Sequence, residues 1–172
     1  MTSAELTPQM IAWLDQEDAA VRTHVRQHGV HLTYVSGGAC SAPGCCSGTD
    51  DAGPAFGYTT GLFGLRHPEL LVFGVGPETA FGLLNTVAAR VRGGERLKSG
   101  ESLTFEQWES RVVVETVPNP GDIVYTANRF YRRRASRSVP VLQLTYDDAA
   151  GRFPWDREYA GPEQPRPGAF RA

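Results

Sequence analysis

Cys40, Cys45 and Cys46 form a C-x4-C-C cluster in one loop. Thiolates so close together can chelate zinc or copper(I). Structural zinc takes four ligands, whereas the chain has 3 cysteines, and His24, His28, His31 and His67 are not at a zinc-finger spacing. Neighbouring Cys45 and Cys46 cannot bridge without strain, which leaves Cys40–Cys45 as the reversible disulfide. A thiol-based transition-metal or redox sensor is therefore one reading, and a loop with ordinary thiols is the other.

Arg132, Arg133 and Arg134, with Arg129 and Arg137, make the densest charge cluster. The guanidinium fork binds phosphate and carboxylate bidentately, and Arg129 and Arg133, four apart, share one face of a helix. That pair is the expected anion clamp. The competing reading is a set of cations complementing a helix C-terminus. Phe130 and Tyr131 lie within the cluster, an arrangement that also suits a nucleobase. Lys+Arg is 17 against Asp+Glu 19, a net charge of −2. That balance argues against a nucleic-acid partner and for a small molecule or a protein.

Tyr58, Thr59 and Thr60 read as mid-strand residues between Gly57 and Gly61, where a ligand or a backbone can approach closely. Alternation puts Tyr58 and Thr60 on one face and Thr59 on the other. His67 and Glu69 flank Pro68 in a turn, as an acid–base pair or half a metal site, or else as ordinary solvated turn residues. Gln143 in an apolar strand needs partners if buried. Asp148 and Trp155 belong to a turn whose aromatics are expected to fold over the sheet. A ligand pocket is expected between the Tyr58–Gly61 strand, the Arg129–Arg137 segment and the Trp155 turn. The chain has no G-x-x-x-x-G-K-[ST], G-x-S-x-G or H-E-x-x-H motif, which disfavours P-loop, esterase and zincin chemistry.

The elements that must hold these residues can be read from periodicity. A chain of 172 residues with 41% hydrophobic residues can bury one core. A single domain over 1–160 with a tail at 161–172 is expected. A helix is predicted over 8–28, capped by Thr7 and Gly29, with Ile11, Leu14, Val21 and Val25 facing the core. Strands are predicted over 30–35, 55–63 and 69–75, the last apolar throughout and so buried on both faces. A helix runs from Pro77 to Gly93-Gly94, strands follow at 101–105 and 111–117, and a third helix opens at Asn119-Pro120 with Ile123, Ala127, Phe130 and Tyr131. A last strand covers 139–146. Leu84 and Val113 are predicted core residues. The fold class is α+β: a single mixed, mainly antiparallel sheet of five or six strands with three helices, barrel-like closure being open. The longest apolar run is too short to cross a bilayer, the first residues lack signal-peptide features, and an odd cysteine count fits a reducing compartment. A cytoplasmic protein with no membrane association is expected.

Tyr58-Thr59-Thr60-Gly61-Leu62, His67-Pro68-Glu69-Leu70, and Leu142-Gln143-Leu144 with Asp148 and Gly151-Arg152-Phe153-Pro154-Trp155-Asp156 together resemble a bacterial family of domains of unknown function, number 4262, over about residues 28–160. The resemblance carries no established reaction. The leading expectation is a small-ligand- or partner-binding domain without established catalysis. A flavin-binding, split-barrel-like oxidoreductase, on fold analogy alone, and the thiol-based sensor are the alternatives. Flavin or a transition metal would be the corresponding cofactor.

Overall fold

The computed structural model describes residues 6–37 and 53–172. Helix α1 spans Pro8–His28 and β1 His31–Val35; β2 is Phe56–Thr60, β3 Glu69–Phe73 and α2 Pro77–Arg92. Then come β4 (Ser102–Phe105), β5 (Trp108–Thr116), the short α3 (Tyr125–Phe130) and β6 (Val141–Tyr146). Single 3-10 turns occupy Phe63–Leu65, Pro120–Asp122 and Ala135–Arg137.

The local signals for α1 act as sequence rules require. The Thr7 hydroxyl accepts the Met10 N–H at 3.2 Å, Pro8 opens the helix, and Gly29 closes it in the left-handed region at φ 78°. Its expected core stripe is only partly used. Val21 is buried, whereas Ile11 is 47% and Trp13 58% exposed, so the first turns of α1 stand clear of the body.

Six strands form one open sheet in the order β1-β2-β3-β6-β5-β4. Every neighbouring pair is antiparallel except β3 and β6, which run parallel with Glu69 opposite Val141. The fold is α+β, and the barrel-like alternative is overturned: β1 and β4 are opposite edges of the sheet and do not pair.

The apolar run of β3 serves both faces, as an uninterrupted run predicts. Leu70 and Val72 join Leu84, Val87, Val112, Val114 and Leu144 in a core under α2. Leu71 and Phe73 join Phe56, Tyr58, Ile123, Ala127 and Val141 in a second core under α3. Val113 falls between the inward Val112 and Val114 and is only half-buried, so it is not the core residue expected. Residues 161–172, read as a tail, pack on the domain. Gln164 brackets Tyr146 by accepting its N–H at 3.0 Å and donating to its carbonyl at 2.9 Å. The Phe170 ring sits 5.3 Å from Phe56 and 5.0 Å from Phe73. Among the described residues, no helix is long and apolar enough to cross a membrane.

Candidate functional site

The two ends of the β2–β3 hairpin differ in kind, and the polar end is built around Glu69. Its carboxylate is fully buried and takes the Thr59 hydroxyl at 2.6 Å and the N–H groups of Gly61, Leu62 and Phe63 at 2.8, 3.2 and 3.0 Å. Thr59 also accepts the Leu70 N–H at 2.9 Å. Every group facing Glu69 is a donor, which calls for the ionised, acceptor-only carboxylate. Burial pushes its carboxyl up, and the donors oppose that shift. Gly61 suits this turn: it sits at φ 138°, and a Cβ there would stand 2.6 Å from the Gly29 carbonyl, which packs against it. Thr60 is buried with no partner for its hydroxyl among the described residues. Tyr58, equally buried, accepts the Thr126 N–H at 3.2 Å and so ties β2 to α3.

His67 is also internal. Its Nδ1 lies 2.7 Å from the Pro68 carbonyl, and its Nε2 accepts the Leu97 N–H at 3.2 Å. Those contacts fix the neutral ring with its proton on Nδ1. Desolvation lowers its pKa from 6.5. Both nitrogens are thus committed, and His67 and Glu69 bond to different parts of the chain rather than to each other.

The second polar region follows α3. Tyr131 links the two: its hydroxyl accepts the Gly64 N–H at 3.0 Å, and burial, helped by the Glu69 charge, pushes its pKa up to about 12. Beyond it, Arg132, Arg133, Arg134 and Arg137, with Ser136, line a concavity of about 520 Å³. Its backbone is anchored at both ends and in the middle. The Arg133 N–H reaches back to the Asn128 carbonyl at 2.7 Å and the Arg132 N–H to the Arg129 carbonyl at 3.1 Å, a Schellman closure of α3. Buried Asn128 donates to Ser138 Oγ at 2.9 Å and accepts the Val139 N–H at 3.0 Å, stapling the loop's start to its end. Gly121 packs so close that a Cβ would lie 2.2 Å from the Ala135 carbonyl. Arg133 donates to the Arg137 carbonyl at 2.8 Å, with its guanidinium 5.6 Å from the Phe63 ring centre. None of the four lining arginines makes an ion pair among the described residues.

The expected clamp of Arg129 with Arg133 is not formed. α3 stops at Phe130, so the four-residue spacing no longer defines one helix face. Arg129 instead pairs with Asp18 of α1 at 2.5 Å. The pocket expected to reach Trp155 is also not assembled. Glu69 marks the start of β3 and, through the parallel pairing, the start of β6, whereas Asp148 and Trp155 follow the far end of β6. Gln143 is buried and donates to the Pro165 carbonyl at 2.8 Å, holding the C-terminal segment. Asp148 accepts the N–H groups of Ala150, Arg152 and Ala160 at 2.8, 2.9 and 3.0 Å. Those backbone bonds, Arg152 first, hold its carboxyl below its usual range. Trp155 stacks on Phe153 at 4.7 Å, with the Arg166 guanidinium 4.5 Å over its ring. Cys40, Cys45 and Cys46, the expected metal or redox thiols, lie outside the described residues. Among the described residues, no three His, Cys, Asp or Glu side chains form a metal-binding group.

The sequence pointed to the arginine cluster and to Arg133, but paired it with Arg129, which faces Asp18 of α1, rather than with Arg132, Arg134 and Arg137. Nothing in the spacing revealed that α3 would be only 6 residues long. The staple from Asn128 had no sequence signal of its own.

The family described as a domain of unknown function, DUF4262, matches residues 24–160. No curated protein and no solved structure matches the chain.

Proposed function

Because the chain belongs to the DUF4262 family, whose description assigns no activity, its role must be read from its own surface, and we propose that it is a binding domain for a small anionic ligand held by the loop after α3. The observation that supports this reading is the crowding of four like charges around one concavity with no carboxylate partner among the described residues. The C-terminus of a 6-residue helix accounts for a nearby cation, but not for four mutually repelling guanidinium groups around one space. The chain as a whole carries a net charge of −2, so the positive field is local. Arginine forks recognise phosphate and carboxylate oxygens in pairs, and a volume of about 520 Å³ suits a small molecule. The anchored backbone lowers the ordering cost of binding. Glu69 and His67, with their hydrogen-bonding capacity used internally, support the fold beneath this loop rather than chemistry. A bacterial, cytoplasmic setting suits a soluble phosphorylated metabolite.

A thermal-shift series with inorganic phosphate, pyrophosphate, ATP and flavin mononucleotide tests the reading. A ligand at a hundredfold excess over its Kd should add about 2.7 kcal/mol of stability. The expected result is stabilisation of the wild type that is lost in the Arg134→Ala/Arg137→Ala double variant. Equal stabilisation of both proteins, or none of either, would overturn it.

A further inference from the structure

Arg132 occupies a position that folding would give to another residue. It is the C′ residue of the Schellman closure and lies in the left-handed region at φ 53°. Glycine takes that conformation without steric cost, and an arginine does not. Arg66 and Glu158 also have positive φ, but neither lines this concavity. The conformation has a geometric result. In a continuing helix, Arg132, Arg133 and Arg134 would point about 100° apart and could not share a pocket. Here the helix stops, Arg132 turns left-handed, Arg134 is extended at φ −81° and ψ 154°, and the 3-10 turn brings in Arg137. Three consecutive arginines and a fourth therefore line one space.

We infer that Arg132 is held left-handed in order to bring its guanidinium into this site, and that the ligand carries two adjacent phosphate groups, as in pyrophosphate or a nucleoside diphosphate. The inference rests on the anion-binding reading above and adds its ligand class and a specificity-determining residue. A single phosphate dianion balances two guanidinium groups, and the concavity has four. The space of about 520 Å³ lies in the range of sites for whole small molecules rather than single oxyanions.

Calorimetric titration with pyrophosphate and with orthophosphate, together with thermal unfolding, separates the possible failures. Wild type is expected to bind pyrophosphate at least tenfold more tightly than orthophosphate. Arg132→Gly is expected to raise Tm, weaken pyrophosphate binding at least tenfold and affect orthophosphate less. Arg132→Asn, which also tolerates the backbone, should show the same binding loss. Arg134→Ala reports on the site itself and should weaken both ligands. If Arg132→Gly and Arg132→Asn bind pyrophosphate like wild type while Arg134→Ala does not, the role of Arg132 is overturned and the site stands. Equal wild-type affinity for the two anions overturns the ligand class. Wild type binding neither anion overturns the site and the inference together.

Discussion

The Glu69 centre and the Arg132–Arg137 loop lie on either side of Tyr131, and both concentrate charged groups, yet they are built in opposite ways. Around Glu69, each carboxylate oxygen is met by two donors of the same chain, in a buried space with no bonding capacity left over. In the loop, the backbone is tied down while the guanidinium groups are exposed and make no ion pair among the described residues. A charge buried among its own donors holds a turn together; a set of charges presented by a fixed backbone stays open to groups outside the chain, which is the basis of the anion-binding proposal. The two regions cannot be told apart by residue type, since either set would pass as a catalytic or binding motif. What separates them is where their hydrogen bonds go.

The comparison is broken most severely at Glu69. Glu69→Ala leaves four buried or half-buried donors without an acceptor, each worth about 1–3 kcal/mol. A loss above about 3 kcal/mol is expected in urea unfolding, and near wild-type stability would show that the centre does not hold the hairpin. Leu84→Ala gives the scale of a purely apolar loss. Leu84 is fully buried under α2, so about 2–5 kcal/mol is expected, with Val113→Ala well below it.

A smaller effect separates the regions by pH. His67 has a folded pKa below its unfolded value of 6.5, so the unfolded chain takes up the proton first. Stability should be complete above pH 6.5 and fall as the pH drops through and below it. His31 has the same direction of shift, caused first by burial and then by neighbouring His24, so His67→Asn should reduce the slope of Tm against pH without abolishing it. An unchanged slope would remove His67 from the account. The smallest effect is expected in the loop: Arg134→Ala/Arg137→Ala should stay within about 0.5 kcal/mol of wild type in the absence of ligand. A large loss there would mean that the arginines serve the fold after all.

Much of the scaffold was legible because its signals are local. Thr7, Pro8 and Gly29 mark both ends of α1, and the unbroken Glu69–Phe73 run marks a strand buried on both faces. The third helix was legible only in part. The spacing of Ile123, Ala127, Phe130 and Tyr131 fits a helix from Pro120, but the chain makes a 3-10 turn, breaks at Ile123 and Val124, and resumes as α3. Gly121 shows why: it lies against Ala135, a contact between segments that no short window of sequence contains. The site followed the same division. The arginines were visible as charge, but which of them converge depends on where α3 ends, and Asp18, far away in sequence, captured Arg129. The Glu69 motif was visible as a candidate for catalysis because a sequence lists donors and acceptors without saying that they find each other.

The parallel pairing of β3 with β6 has a consequence for assembly. β1-β2-β3 and β4-β5-β6 are each a three-stranded antiparallel meander, and the register Glu69–Val141, Leu70–Leu142, Leu71–Gln143 is the seam between them. The connection from Gly93 to Gly100 runs between the two meanders and belongs to no strand. A chain cut there keeps every antiparallel pairing within one fragment or the other, but divides the seam, both apolar cores and cross-links such as Asp18–Arg129 and Gly64–Tyr131. Neither piece carries a complete core, so the two meanders depend on each other to fold, with Glu69 carried by one and the arginine loop by the other.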